Sequence, residues 1–499
     1  MRRTVTRRTF LRSLAASAAG AAAAATGLSC RARAAEPTRK PNVLFILADD
    51  LGWKDLGCFG STFYETPHVD GLRATGMMFT DAYAACPVCS PTRASIMAGK
   101  YPARTGVTDY INPAGRNQPE QWRRNTRLLP APYRDRLTHN EVTLAEALKQ
   151  AGYATFFAGK WHLGPEGFWP EDQGFDVNEG GIERGGPYGG KKYFSPYGNP
   201  RLADGPPGEH LPLRLGRETA DFIEAHREEP FLAYLSFYSV HTPLMTTEAL
   251  RDKYRAKAAD APDTQWGREG ERKVRLVQNH AVYAGMVEAM DTAVGIVLER
   301  LERLGLADDT VVFFMSDNGG LATSEGHPTA NVPLRAGKGW LYEGGIREPM
   351  LVRVPGLTRP GSVCTEPVIS TDFYPTILDL AGLPLRPEQH TDGVSLRPLL
   401  EGRPMDRGPL FWHYPHYGNQ GGAPGGAVRD GPWKLIEWYE DGRLELYHLR
   451  DDPGETRDLA AAHPDRAKDL HAKLVAWREA TGAKMPTVNQ RYEPGKPRR

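Results

Sequence analysis

The sequence predicts an α/β fold: a large, mainly parallel sheet flanked by helices on both faces, plus a small C-terminal α+β subdomain with an antiparallel sheet. Three observations predict it. Apolar runs at residues 43–47 and 310–315 are continuous, as in strands buried on both faces. They alternate with helical stretches, the longest being an amphipathic segment at residues 280–304 that Gly305 closes. Beyond residue 400 the pattern changes to aromatic-rich segments around Asp441-Gly442, a hairpin signature.

Taken in order, Pro41-Asn42 leads into the first run, which stops at Ala48-Asp49-Asp50. Thr143 and Glu146 form a capping box that opens a helix through Gln150. Gly152 ends that helix, and residues 153–157 form the next strand. Residues 231–236 form a third, and the run at 310–315 ends at Ser316-Asp317-Asn318-Gly319-Gly320. Residues 180–190 are Gly-rich and read as a loop. A boundary at residues 401–404 separates an α/β domain, residues 35–402, from a subdomain, residues 403–499. The subdomain holds the hairpin strands 433–439 and 444–447 and a helix over about 465–480.

Composition narrows the function. The chain has 499 residues, with 40% hydrophobic and 25% charged residues, which suits a globular protein with its own core. Lys+Arg number 62 and Asp+Glu 61, so the basic excess of a nucleic-acid binder is missing, although a local basic pocket for one small anion remains open. Five cysteines in this length exclude a disulfide-built scaffold.

Residues 1–34 read as an address. Arg7-Arg8-Thr9-Phe10-Leu11 precedes an Ala-rich stretch, and Ala32-Arg33-Ala34 supplies a cleavage pattern. Paired arginines before Phe-Leu indicate a twin-arginine export signal, and hence the twin-arginine machinery as a partner. The plainer reading is an ordinary basic n-region. Gly27-Leu28-Ser29-Cys30 lacks the Leu of a lipoprotein box, so anchoring through Cys30 is the lesser reading. No later stretch is expected to span a membrane. The mature chain is therefore expected to start near Ala35 and to work in the periplasm or outside the cell.

Two strands end in oxygen-bearing pairs, Asp49-Asp50 and Asp317-Asn318. In open α/β sheets sites lie at the carboxyl ends of strands, and four such side chains can cage a hard cation such as calcium. Either pair alone reads as a helix N-cap; both on matching ends point to metal. Cys86-Pro87-Val88-Cys89 has redox or half-zinc-site spacing, but no second ligand pair and no short thioredoxin-like chain accompany it.

The segment Cys89-Ser90-Pro91-Thr92-Arg93, running on to Gly99-Lys100-Tyr101-Pro102, resembles the signature of the sulfatase family: the type I, formylglycine-dependent, arylsulfatase A-like branch of the alkaline phosphatase superfamily. The resemblance continues in order at Gly159-Lys160-Trp161-His162-Leu163-Gly164, at Ser316-Asp317-Asn318-Gly319, at Gly337-Lys338-Gly339, through Tyr342 to Pro349, and from Leu446-Tyr447 to Glu455. It implies that Cys89 is oxidised by a formylglycine-generating enzyme to an aldehyde whose hydrate attacks a sulfate ester. It implies that Asp49, Asp50, Asp317 and Asn318 bind one calcium ion, with residue 89 leaning on it. It implies too that Arg93 orients the diol, that Lys160 and Lys338 clamp sulfate oxygens, and that His162 is the base that collapses the hemiacetal. The resemblance further implies that His241 protonates the leaving alcohol, shared with Lys338, and contacts substrate. Each of these residues alone would read as a surface charge or a structural histidine.

The segment from Trp412 to Asn419 is aromatic and His-rich. His413 and His416 are candidate contacts to a sulfated saccharide, with packing between subdomains as the alternative. Cys58, Cys86 and Cys364 have no assigned role. The competing readings are a phosphonate or phosphate ester hydrolase of the same superfamily and a catalytically silent carbohydrate-binding relative.

Overall fold

In the computed structural model, which describes residues 40–497, the main sheet runs Ser362–Cys364, Met77–Tyr83, Arg347–Arg353, Thr310–Ser316, Asn42–Ala48, Phe231–Ser236, Ala154–Gly159, Val177–Glu179. Val368–Ile369 adds to Met77–Tyr83 off this path. Only Arg347–Arg353 runs against its neighbours; every other pairing in the sheet is parallel. The expected signal peptide, residues 1–34, lies outside the described residues.

Asn42–Ala48 shows why its run is apolar throughout. Side chains of a strand point alternately to opposite faces. Val43, Phe45 and Leu47 enter one core with Leu144, Leu148, Phe373 and Ile377. Leu44, Ile46 and Ala48 enter the other, with residues of the helices Leu211–Ala225 and Ala281–Arg303. Burial on both faces removes the polar alternation. The capping box is present: Thr143 Oγ1 accepts from Glu146 N at 3.1 Å, and Glu146 Oε2 accepts from Thr143 N at 2.7 Å.

One expectation needs correcting. Ala281–Arg303 is long and apolar enough to cross a membrane, with a mean hydropathy of 1.5 over its best stretch. Its hydrophobicity has another cause: 67% of that stretch is buried, beneath the sheet and against neighbouring helices. A helix enclosed by protein on most sides is apolar nearly all round.

The C-terminal sheet, in the order Leu410–Tyr414, Gly425–Asp430, Trp433–Trp438, Arg443–His448, is antiparallel throughout. The helix Pro464–Thr481 covers one face through Leu470 and Leu474. The other face packs Trp412, Tyr414, Ile436 and Tyr447 against Tyr83, Val88, Ile346 and Ile369 of the main unit. A fully buried ion cluster joins the two parts. Lys434 Nζ lies 2.9 Å from Glu343 Oε1 and 2.9 Å from Glu455 Oε1, and Tyr83 donates to Glu343 Oε2 at 2.6 Å.

Removing one partner of a buried ion group leaves an uncompensated charge. Lys434→Ala is expected to destabilise the protein by about 3–5 kcal/mol, whereas the joint replacement Lys434→Met, Glu343→Gln, Glu455→Gln should cost far less. Urea unfolding followed by tryptophan fluorescence checks this. A single-mutant loss below about 1 kcal/mol would show that the cluster is not a structural tie.

Candidate active site

Four parallel neighbours in the sheet end at one edge: Ala154–Gly159, Phe231–Ser236, Asn42–Ala48 and Thr310–Ser316. The residues just beyond those ends supply the site. Lys160 follows the first, Asp49-Asp50 the third and Asp317-Asn318 the fourth. His241 lies a few residues past Ser236, where Phe237 N bonds to Leu47 O and Val240 N to Asp49 O. Gly159 is a backbone necessity: its φ is 103°, and a Cβ there would sit 1.8 Å from Ser236 O. That close approach lets Lys160 N reach Ser236 O at 2.8 Å and aims the lysine along the strand ends. No helix starts at either Asp pair, so neither is an N-cap.

Cys89 opens the helix Cys89–Ala98, all ten residues of which are buried. Its polar side chains are satisfied there. Thr92 Oγ1 donates to Cys86 O, Ser95 Oγ donates to Thr92 O, and Ser90 Oγ accepts from Ile111 N. Arg93, one turn on, reaches into the strand ends. Its Nε donates to Asp317 Oδ2 at 2.8 Å, and one terminal nitrogen donates to Lys160 O at 2.6 Å and Ser236 Oγ at 2.7 Å. Lys338 comes from a loop that Asn331 Nδ2 holds through Gly320 O and Ala336 O, and Gly339 N donates to Pro87 O.

The electrostatics follow from burial. Asp49, Asp50 and Asp317 are wholly inaccessible. Lys160 Nζ donates to both oxygens of Asp49 at 2.8 and 2.7 Å. Lys338 Nζ lies 2.7–2.8 Å from the oxygens of Asp50, and Asn318 Nδ2 donates to Asp50 Oδ1 at 2.8 Å. Burial raises the Asp50 carboxyl, but Lys338 and then His241 outweigh it and hold Asp50 well below the usual carboxylate range. Burial would also strip the proton from Lys338; Asp50 and the groups around it overcome that and keep the ammonium charged. Burial pushes the Cys89 thiol up to about 12 against the pull of Lys160 and Lys338. An unmodified Cys89 is therefore a neutral thiol and a poor nucleophile at neutral pH.

Both histidines are neutral. Burial and then Lys338 bring His241 down to about 4, and burial and then Lys160 hold His162 well below its usual value. His162 Nε2 lies 2.9 Å from Ile111 O; a carbonyl only accepts, so Nε2 carries the hydrogen. Its Nδ1 is buried without a partner and is left as an acceptor. His241 Nδ1 faces Thr242 O at 2.7 Å, which leaves Nε2 toward Asp50 Oδ2 at 3.6 Å.

Ligand atoms of Asp49, Asp50, Cys89 and His241 lie within 4.8 Å of one another. Asp317 adjoins this group, its oxygens accepting from Arg93 Nε and from Asp50 N at 3.2 Å. Asn318 Oδ1 and a terminal nitrogen of Arg93 are buried without hydrogen-bond partners, the latter 4.0 Å from Asp49 Oδ1. An orphaned amide oxygen beside carboxylates fits a hard cation, and an orphaned guanidinium N–H fits an oxyanion.

Two expected contacts are not brought to this cluster. His413 packs in the C-terminal sheet, with Nδ1 2.7 Å from Tyr439 Oη and Nε2 3.0 Å from Lys484 O. His416 is fully buried, with Nε2 2.9 Å from Thr108 Oγ1. Packing, not saccharide contact, accounts for both. Cys86 and Cys89 are free thiols, so no disulfide between them blocks position 89. Sequence reasoning passed over Ser236, whose hydroxyl accepts from Arg93 and donates to Lys160 O at 2.7 Å. It also passed over Glu325, whose charge acts on Lys338 and His241 and which accepts from Gln420 Nε2 at 2.5 Å. A lone Ser at a strand end and a lone Glu in a loop carry no spacing signal.

Fold and site together define an α/β enzyme that surrounds an anionic group with fixed cations at the strand ends, beside a position suited to a nucleophile. Residues 41–383 match the Sulfatase family and residues 336–480 match the family N-sulphoglucosamine sulphohydrolase, C-terminal. The chain belongs to the sulfatases, which are sulfuric ester hydrolases. It is 33% identical to a sulfatase of Formosa agariphila, over 89% of each chain. It is 32% identical to arylsulfatase A of Homo sapiens, over 84% of this chain and 83% of that one. The crystal structure of Ps i-CgsB in complex with k-i-k-neocarrahexaose superposes with a TM-score of 0.71 at 28% identity, over 88% of this chain and 93% of that one.

Arg93→Ala removes the donors that Asp317, Ser236 and Lys160 O share. It is expected to lower sulfate ester hydrolysis by about 10²–10³-fold, the usual loss for a fixed electrostatic donor. The check is initial rates on 4-nitrophenyl sulfate, with circular dichroism to confirm the fold.

Proposed function

We propose that this sulfatase hydrolyses sulfate esters on a sulfated saccharide, using a formylglycine hydrate made from Cys89. The observation that carries the reading is the convergence of Cys89, Arg93, Lys160 and Lys338 at strand ends that also present Asp49, Asp50, Asp317 and Asn318. The saccharide class is supported by the structural relative that holds k-i-k-neocarrahexaose and by the match of residues 336–480.

Asp49, Asp50, Asp317 and Asn318 would hold one divalent cation, with calcium favoured by oxygen donors. Bound there, it would act as a Lewis acid toward the sulfate oxygens. Lys160, Lys338 and the open Arg93 nitrogen bind the same oxygens and offset the negative charge that repels a nucleophile. One hydroxyl of the hydrate at position 89 attacks sulfur and the sulfur–oxygen bond to the sugar breaks; His241, neutral in the free site, takes up a proton from solvent at Nε2 as the anionic ester binds and passes it to the leaving oxygen, assisted by Lys338. His162 Nδ1 then removes the proton of the second hydroxyl. The carbon–oxygen bond to the sulfo group breaks, sulfate departs, and the aldehyde returns to be rehydrated by water. A neutral imidazole with one open nitrogen suits the second step.

The test is peptide mass spectrometry of active enzyme. The peptide spanning position 89 is expected to be lighter by the thiol-to-aldehyde change, and Cys89→Ala is expected to abolish turnover. Fully active protein carrying only the thiol would overturn the mechanism. Elemental analysis is expected to find one equivalent of calcium, and a chelator should remove activity that added calcium restores; stoichiometric zinc would contradict the assignment.

Export through residues 1–34 is part of this reading. Twin-arginine substrates fold before export, and Cys89 is buried once folded, so a maturating enzyme must act in the cytoplasm on the extended chain. Arg7→Lys, Arg8→Lys protein is expected to stay inside cells yet carry the aldehyde. Retained protein with an unmodified Cys89 would reverse that order.

A further inference from the structure

The Gly-rich segment around residues 180–190 has a specific construction. Gly185 lies against His162: a Cβ there would fall 2.6 Å from Cε1 of the imidazole. A Cβ at Gly186 would fall 2.6 Å from Cζ of Tyr188, and one at Gly189 would fall 2.4 Å from Gly198 O. Tyr188 N donates to Gly186 O at 2.8 Å, and Arg184 donates to Gly198 O at 2.9 Å. The glycines thus let the loop lie flat between His162 and the 197–198 backbone, and the ring of Tyr188 folds back over its own turn.

The loop presents that ring to the site. Tyr188 is 56% exposed, yet its ring meets that of His241 in a T-shaped contact with centroids 6.2 Å apart and planes at 72°. His241 in turn stands 3.6 Å from Asp50 and belongs to the group that includes Cys89. Going outward from position 89, the order is therefore Cys89, His241, Tyr188. In the reading above, the oxygen that leaves the sulfur sits at His241. The ring that carries this oxygen must continue outward, to where Tyr188 stands.

Resting on that reading, we infer that Tyr188 is the substrate-binding platform for the sulfated sugar itself: its face stacks on the pyranose carrying the ester, while the charged cluster holds only the sulfate. A phenol ring offers a rigid apolar face with few torsions to freeze, and its hydroxyl can stay in water. The charged cluster would then give affinity for any sulfate ester, and Tyr188 would discriminate the alcohol.

The experiment measures binding and turnover with galactose and N-acetylgalactosamine O-sulfates. On the Cys89→Ala background, calorimetry gives affinities for the monosaccharide sulfate that wild-type enzyme cleaves fastest and for inorganic sulfate. Tyr188→Ala is expected to weaken saccharide binding about tenfold, the scale of one aromatic contact, and to leave inorganic sulfate within about twofold. Tyr188→Phe is expected to match the parent. In the active enzyme the alanine variant should show the loss in KM, with kcat nearly unchanged. Equal saccharide affinity in the parent and the alanine variant overturns the inference and leaves the proposed function standing. A loss as large in Tyr188→Phe overturns it too, since a hydroxyl contact would then replace stacking. Wild-type enzyme that releases sulfate from aryl sulfates but from no monosaccharide sulfate overturns both the saccharide reading and the inference.

Discussion

The structure depends on compensating three carboxylates that the sheet buries side by side. Asp49, Asp50 and Asp317 stand at adjacent strand ends with no exposure to water. Left alone, such a group would be strongly unfavourable or would take up protons. Three cations from three different elements oppose that: Lys338 holds Asp50 well below the usual carboxylate range, while burial still raises Asp49 against the pull of Lys160. Lys160 arrives along the strand Ala154–Gly159, one strand removed from that of Asp49, Arg93 from the buried helix, and Lys338 from a loop. The strand order, the polar lining of the Cys89 helix and the close approach at Gly159 are all conditions for these cations to meet the carboxylates.

The C-terminal sheet enters the site by the same logic. The Lys338 loop has little regular structure, so its position must be imposed from outside. Asn331 and Pro87 hold it from the main unit, and Trp340 Nε1 donates to Gln420 O at 3.2 Å on the other side. The segment carrying Gln420 leads into the Gly425–Asp430 strand, which the Lys434–Glu343–Glu455 cluster and the shared core lock against the main sheet. A small sheet remote from the chemistry thus determines where an active-site lysine points.

Much of this was legible in the sequence wherever a physical rule repeats along the chain. Double-faced burial makes strands such as Asn42–Ala48 and Thr310–Ser316 apolar throughout, and a capping box marks its helix with two residues at fixed spacing. The Arg347–Arg353 strand was not legible because pairing direction leaves no local trace. Met77–Tyr83 was missed because Thr80 and Asp81 interrupt its apolar pattern; Arg347 answers Asp81 across the sheet. The Ala281–Arg303 helix was legible as a helix, and its apolar composition follows from enclosure by protein, which selects the same residues as enclosure by lipid. His413 and His416 misled for a related reason. Aromatic and imidazole rings suit a sugar, but they suit a packed sheet face equally, and only the engaged ring nitrogens tell the two apart. Ser236 gave no signal because only its position at a strand end brings it to Arg93.

The site also separates two kinds of work by charge state. Its ionised groups hold: each lysine and arginine is paired with a carboxylate and is kept charged against burial. Its imidazoles are kept neutral by that same burial and by the lysines beside them. A neutral imidazole beside fixed cations accepts a proton readily only when negative charge develops near it. In the proposed mechanism an anionic ester entering the cluster brings that charge, which would couple proton transfer to substrate rather than to bulk pH. His162, with one nitrogen fixed by Ile111 O and the other open, is ready to take a proton. His241, between Asp50 and Tyr188, holds its Nδ1 hydrogen on Thr242 O, and in the proposed mechanism it must first gain a proton at Nε2 before giving one up. Two residues of one type thereby acquire opposite duties from their surroundings, and the surroundings are set by the strand ends that bury the carboxylates.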